Sequence, residues 1–150
     1  MAKKDKKQVV VAVSGGFDPL HIGHVRLFQA ARKLGDKLVV ILNNDSWLKA
    51  KKGYVFMPQK ERKEILEALA CVDKVVISGH SKKPKDMSVC KELQGLKPDI
   101  FANGGDRKKG KIPVPEVETC RKINCKMVYN IGRGGKVQSS SWLLKKIRPE

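Results

Sequence analysis

Val13-Ser14-Gly15-Gly16-Phe17-Asp18-Pro19-Leu20-His21-Ile22-Gly23-His24 joins a short Val-rich run, residues 8–13, to a segment of helical period, residues 24–34. In that segment Val25, Phe28 and Ala31 or Arg32 recur at intervals of three and four, and Gly35 reads as the glycine that stops the helix. Strand, glycine turn and helix in this order make the first half of a βαβ unit. Outward from it, apolar runs follow at residues 37–42, 74–78, 99–103 and 126–130, each short, rich in Val and Ile and closed by polar residues or glycine. Such runs suit buried parallel strands. Between them a second helix is expected over residues 58–70, with Pro58 in its first turn, Glu61 early and Ile65, Leu66 and Leu69 as its apolar stripe. Weaker helical patterns cover residues 84–96, 115–123 and 140–147. The alternation predicts an α/β protein built on a mostly parallel sheet. Residues 46–57, carrying Lys49, Lys51, Lys52 and Gly53, are the longest irregular piece and read as a mobile lid.

The chain has 150 residues, with 32 Lys+Arg against 15 Asp+Glu for a net charge of +17, and 41% hydrophobic residues. That length suits one domain, and that much apolar content excludes a disordered basic tail. Residues 1–7 are expected to form a basic tail and residues 8–150 the domain. No run approaches 18 apolar residues, and the first seven residues are too polar to lead into a signal-peptide core, so a soluble, cytoplasmic protein is expected. Cys71, Cys90, Cys120 and Cys125 form no C-x-x-C pair and read as reduced, structural thiols. The positive excess draws anions: nucleic acid, nucleotides or phosphorylated metabolites.

In an open α/β sheet, ligands gather where a strand hands over to its helix. Gly15 and Gly16 allow backbone amides to approach a phosphate, and the helix start adds unsatisfied N–H groups and a positive dipole end. His21 and His24, three residues apart, can project from one side of the first turn and donate to oxygens that gain charge during displacement at phosphorus. The alternative is that His21 caps the helix, His24 packs and the glycines only turn the chain.

Gly16-Phe17-Asp18-Pro19-Leu20-His21-Ile22-Gly23-His24 resembles the G-x-F-D-x-x-H-x-G-H signature of the cytidylyltransferase-like nucleotidyltransferases. These include glycerol-3-phosphate cytidylyltransferase, the adenylyltransferase domain of heptose-phosphate biosynthesis and archaeal FAD synthetase. The resemblance runs on through residues 31–40, Asn43-Asn44-Asp45, Pro58 to Arg62, Cys71-Val72-Asp73-Lys74-Val75, Asn103-Gly104-Gly105-Asp106 and the tail from Arg133 to Ser141. It implies a Rossmann-like open parallel five-stranded sheet with helices on both faces. It also implies transfer of a nucleoside monophosphate from a triphosphate to a phosphorylated small molecule, with release of pyrophosphate. CTP is slightly favoured on the small single-domain members. ATP is the alternative, because Gly104-Gly105-Asp106-Arg107 is nearer to the heptose-phosphate adenylyltransferase pattern.

By the same resemblance, His21, His24, Lys52 and Arg62 are expected to be catalytic. Gly15, Gly16, Phe17, Asp18, Gly23 and Lys49 are expected to bind the nucleotide, together with Gly104, Asp106, Arg133, Ser139, Ser140 and Ser141. Asp45, Trp47 and Arg107 are assigned to the acceptor. Several alternatives stay open: Asp18 also reads as a simple turn-former before Pro19, Lys136 could replace Arg133, and Ser139 to Ser141 would serve equally as a helix cap. Mg²⁺ is the expected cofactor, held chiefly by phosphate oxygens without a protein ligand cluster, and a homodimer is expected. A non-catalytic nucleic-acid binding module is the rival of another class, weakened by an aromatic content of only 5%.

Overall fold

A computed structural model describes residues 7–104, 114–131 and 140–147. Asp106, Arg107, Arg133, Lys136 and Ser139 lie outside the described residues. Five strands, β1 (Val10–Gly15), β2 (Lys37–Leu42), β3 (Lys74–Ile77), β4 (Ile100–Gly104) and β5 (Lys126–Ile131), pair in the order β3-β2-β1-β4-β5, all parallel. The helices are α1 (Ile22–Arg32), α2 (Asp45–Lys52), α3 (Gln59–Glu67), α4 (Cys90–Leu96), α5 (Val114–Lys122) and α6 (Ser140–Lys145).

The period of two along each strand divides the apolar residues between two cores. Val11 and Val13 of β1 with Leu38, Val40 and Leu42 of β2 meet Phe28 and Ala31 of α1 and Leu66 of α3. Ala12 and Ile41 point the other way, to Val89, Leu93 and Cys120 beside α4 and α5. Each fully buried Val or Leu contributes about 1.5–3 kcal/mol, so both sheet faces are held by their helices. Order runs outward from β1 through β2 to β3, then returns across β1 to β4. Right-handed crossovers then place α1 and α3 on one face and α4 and α5 on the other. The reversal between β1 and β4 opens a crevice at the carboxyl ends of the strands, beside the Gly15–His24 turn.

Three local expectations are corrected. Residues 46–57 are not an irregular lid, because Asp45–Lys52 is helix α2. The Asn44 side chain accepts from Trp47 N at 2.9 Å as its N-cap, and Gly53, at φ 85°, ends it in the left-handed conformation. Helix α4 begins at Cys90 rather than residue 84, since Asp86 Oδ1 accepts the Ser88 N–H at 2.9 Å and holds a turn there instead. Gly35 is not a left-handed stop: α1 closes on Lys33 in right-handed conformation, and Gly35 is needed because a Cβ would lie 2.7 Å from the Val9 carbonyl oxygen. The four cysteines are free thiols, three of them buried, as their apolar neighbourhoods predict.

Candidate active site

His21 is the N-cap of α1. Its Nδ1 accepts the Gly23 N–H at 3.1 Å, and His24 Nδ1 accepts the His21 N–H at 3.3 Å, a reciprocal cap. A ring nitrogen that accepts from a backbone N–H carries no proton of its own, so each neutral imidazole bears its proton on Nε2. The two rings stack with centroids 3.7 Å apart and planes 25° apart. The cap is observed, and it fixes the tautomer that makes Nε2 of each ring a donor.

Beneath this pair lies Phe17, edge-on to His24 at 4.9 Å and to Phe28 at 5.0 Å. Phe17 is buried, so its ring supports His24 and offers no face to a base. Burial, first, and then the neighbouring His21 and Lys52 lower the His24 pKa to about 3, so its imidazole is neutral at physiological pH. The glycines are required by packing: a Cβ on Gly15 would meet the Phe17 ring at 2.8 Å, and one on Gly16 would meet Leu48 Cδ2 at 2.9 Å. Gly16 thus lets α2 close on the turn. Gly23 stands in the first turn of α1 and gives its N–H to the cap.

Asp18 is fully buried. Its two carboxylate oxygens accept the N–H groups of Phe56 and Met57 at 2.7 and 2.6 Å, which fastens the segment after α2 to the turn after β1. Lys52, at the end of α2, approaches the Asp18 carbonyl with Nζ at 3.5 Å and is drawn down in pKa chiefly by burial. His21, His24 and Lys52 are accordingly brought together; Lys49, like Lys52, is an exposed residue of α2.

Arg62 is placed otherwise than expected. Its side chain is fully buried, with Nε on Met57 O at 2.8 Å, Nη1 on Gly16 O and Asn43 O at 2.7 Å each, and Nη2 on Asp45 Oδ1 at 2.7 Å. The guanidinium is a hub that ties the β1 and β2 ends to α2 and α3, not a group facing phosphate. Asp45, assigned to the acceptor, is the partner of this hub, and Trp47 donates its indole N–H to Met87 O at 2.9 Å beside a cavity. Gly104 ends β4 across the crevice, and Ser140 and Ser141 begin α6.

Residues outside the predicted site set also belong here. Asn43 and Ser14, at the ends of β2 and β1, and Lys51 and Glu116 line the cavity. His80 ties its wall: its Nε2 donates to Ser88 O at 2.9 Å, so Nδ1 takes the Ser78 hydroxyl at 2.7 Å. The position of Asn43 at a strand end was the available signal; Glu116 gave none beyond an acidic first turn. Among the described residues no group of three or more His, Cys, Asp or Glu could hold a metal, and no helix is long and apolar enough to cross a membrane.

Residues 12–131 match the model of the cytidylyltransferase-like family. The chain belongs to that family. It is 43% identical over 107 residues to the bifunctional protein HldE of Streptomyces coelicolor, covering 69% of this chain and 22% of that one. It is 36% identical over 124 residues to the FAD synthase of Thermococcus sibiricus, covering 82% and 80%. Among solved structures, the lipopolysaccharide core biosynthesis protein of Thermoplasma volcanium superposes with a TM-score of 0.67 at 29% identity, over 85% of this chain and all of that one. The match to HldE thus spans about a fifth of that larger protein, whereas the FAD synthase is matched over most of its length.

Proposed function

We propose that this cytidylyltransferase-like protein transfers a nucleoside monophosphate from a nucleoside triphosphate to a phosphorylated small molecule. The observation that carries the reading is the stacked His21 and His24 pair, each capped so that its proton sits on Nε2, beside the Lys52 ammonium. An acceptor phosphate oxygen attacks the α-phosphorus, a P–O bond forms, the bond to the β-phosphate oxygen breaks, and pyrophosphate leaves. No protein nucleophile is needed. The two Nε2–H donors and Lys52 stabilise charge that builds on the equatorial oxygens, and the α1 N-terminus adds its dipole. Asp18 holds the segment that follows Lys52, and Phe17 holds His24, so the donors are positioned before substrate arrives.

ATP is the donor we favour over CTP, because the similar chains include HldE and FAD synthase and because the sequence Gly104-Gly105-Asp106-Arg107 is nearer to the heptose-phosphate adenylyltransferase pattern. Mg²⁺ would enter with the triphosphate. Both Asp18 oxygens are engaged by backbone amides, so its coordination would come from phosphate oxygens, whose charge it would neutralise. The acceptor class, a homodimeric state and the contributions of Asp106, Arg107, Arg133 and Ser139 to Ser141 belong to the same proposal.

The test is pyrophosphate release with ATP or CTP, Mg²⁺ and a panel of phosphorylated acceptors. Release with one nucleotide, lost on His24→Ala, supports the reading. Undiminished release in that variant refutes it.

A further inference from the structure

All five strands run parallel, so their first residues gather, with the C-terminal ends of α1, α4 and α5, on the edge of the sheet opposite the histidines. Aspartate precedes β2, β3 and β4 on that edge, as Asp36, Asp73 and Asp99. Each turns its carboxylate back to a neighbouring strand: Asp36 accepts the Val9 N–H at 2.7 Å, Asp73 the Leu38 N–H at 2.8 Å and Asp99 the Val10 N–H at 2.9 Å. The acids of this edge are thus engaged by main-chain donors.

Its cations are not. Lys74, Lys37 and Lys126 are the exposed first residues of β3, β2 and β5, and exposed Lys7 stands before β1. In the order of the sheet they form a row, Lys74, Lys37, Lys7 and Lys126, which at ~4.8 Å per strand runs roughly 19 Å. Lys33 at the end of α1 flanks the row on one face, and Lys97, Arg121 and Lys122 at the ends of α4 and α5 flank it on the other, where the negative ends of the helix dipoles favour them. The ion pairs of this edge join Lys7 to Asp99 at 3.8 Å and Arg32 to Asp73 at 3.2 Å. Lys33, Lys37, Lys74, Lys97 and Lys126 enter none among the described residues.

The chemistry of the edge narrows its partner. None of the exposed large apolar side chains, Ile22, Phe56, Ile65, Val117 and Ile147, stands at a strand start. A protein interface has an apolar, aromatic-rich centre, and a membrane surface takes an apolar anchor. Single-stranded bases stack on aromatic rings. A duplex backbone requires neither, since it offers one negative charge per ~1.7 Å of axis to any row of ammonium groups. We infer that this lysine edge binds the phosphate backbone of a nucleic-acid duplex, at the end of the sheet away from the histidine site. Lysines that meet phosphate fix position and carry no base code, so the binding is independent of sequence. An edge of roughly 19 Å passes about 11 duplex charges, of which about five on the near side would meet ammonium groups.

The test is anisotropy titration of a labelled DNA duplex of about 20 base pairs with the full chain. Counterion release at about five phosphates gives log K a slope near −4.5 against log salt, so affinity should fall roughly 100-fold between about 50 and 150 mM KCl. Two duplexes of unrelated sequence should bind alike. Lys37→Gln/Lys74→Gln/Lys126→Gln should weaken binding at low salt by about tenfold or more and take about three from the slope. Lys60→Gln/Lys82→Gln/Lys85→Gln, which removes the same charge from exposed positions on α3 and the loop before α4, should stay within about threefold. Lys33→Gln/Lys97→Gln gives a second edge variant should the first not fold. An RNA duplex titrated in parallel identifies which backbone the edge holds more tightly. No binding to either duplex, an equal loss in the two triple variants, or tighter binding to vesicles of anionic phospholipid overturns the inference. Pyrophosphate release keeps it apart from the proposed transfer: release unchanged in the edge variants upholds two separate sites, and a chain that releases none is still decided by the titration.

Discussion

Replacing Arg62 by Lys separates an internal hub from a phosphate contact. The guanidinium makes four hydrogen bonds of 2.7–2.8 Å, three to main-chain carbonyls and one to Asp45, with no exposed surface. Lysine keeps the charge but gathers three donors on one atom, so it cannot reach acceptors arranged around a planar fork. One or two carbonyls among Gly16, Asn43 and Met57 would lose their donor, at about 1–3 kcal/mol each. The expected loss is then about 1–6 kcal/mol, against a total stability of the order of 5–15 kcal/mol. Arg62→Lys should fold but melt early, whereas Arg62→Ala also leaves Asp45 partnerless and a void, adding about 3–5 kcal/mol. In urea, with a slope of ~2 kcal/mol/M, a 3 kcal/mol loss moves the Arg62→Lys midpoint down by about 1.5 M. Asp45→Asn, whose carboxylate is one-third exposed, should shift it less. A midpoint equal to that of the wild type, joined to a raised nucleotide KM, would refute the hub and return Arg62 to the role the sequence suggested.

His24→Ala and His21→Ala should each lower kcat by on the order of 100-fold, as loss of a transition-state donor does; steady-state pyrophosphate release with far-ultraviolet circular dichroism checks that only chemistry is lost. Asp18→Asn presents an amide N–H₂ where two backbone donors converge, and it should cost about 1.5–3 kcal/mol by thermal or urea unfolding while lowering kcat through Lys52. For pH, the native His24 takes its proton only near pH 3 whereas the unfolded chain takes it near 6.5. Unfolded protein therefore binds more protons between those values, and this group's stabilising contribution falls as pH drops through that window. The slope is up to ~1.36 kcal/mol per pH unit. Subtracting the stability curve of His24→Gln from that of the wild type should isolate this slope; equal slopes, or an NMR titration of His24 near pH 6.5, would contradict the buried neutral ring.

Five strands and their helices could be read from the sequence because each buried run is short, apolar and bounded, and β2 was legible to the residue. Val10–Gly15 ran two residues further than its apolar run because parallel pairing to β2 carries Ser14 and Gly15, whose side chains the hydrophobic pattern does not see. Helix α2 was hidden by three lysines among eight residues and a short apolar stripe, although its Asn44 cap and Gly53 stop were both present. The His21 and His24 pair was legible because a helix start fixes side-chain direction locally. Arg62 and Phe17 were not: a local pattern gives an arginine on a helix or an aromatic in a turn no inward direction. Their burial depends on Gly16, Asn43 and Asp45, or on Gly15 and Phe28, brought near only by the sheet.

These inward placements change what kind of catalyst the fold describes. A mobile lid would bring its lysines to phosphate on closure and place the cost of ordering in each turnover. Here α2 is fastened at three points: Arg62 to Asp45, the Trp47 indole to Met87, and Asp18 to Phe56 and Met57 just beyond the helix. Two of the fastenings use residues of the turn after β1 and of α3 that a motif reading assigns to substrate. Their work is to set Lys52 beside two imidazoles whose tautomers the α1 cap has already chosen. The ordering is done at folding, and the buried charges that achieve it, Asp18 and Arg62, are both taken up by protein groups. Lys51 and Lys52, adjacent on that fastened helix, then face the cavity and the histidines. Rigidity of α2 is what would keep Lys52 in register with the two imidazoles for in-line displacement.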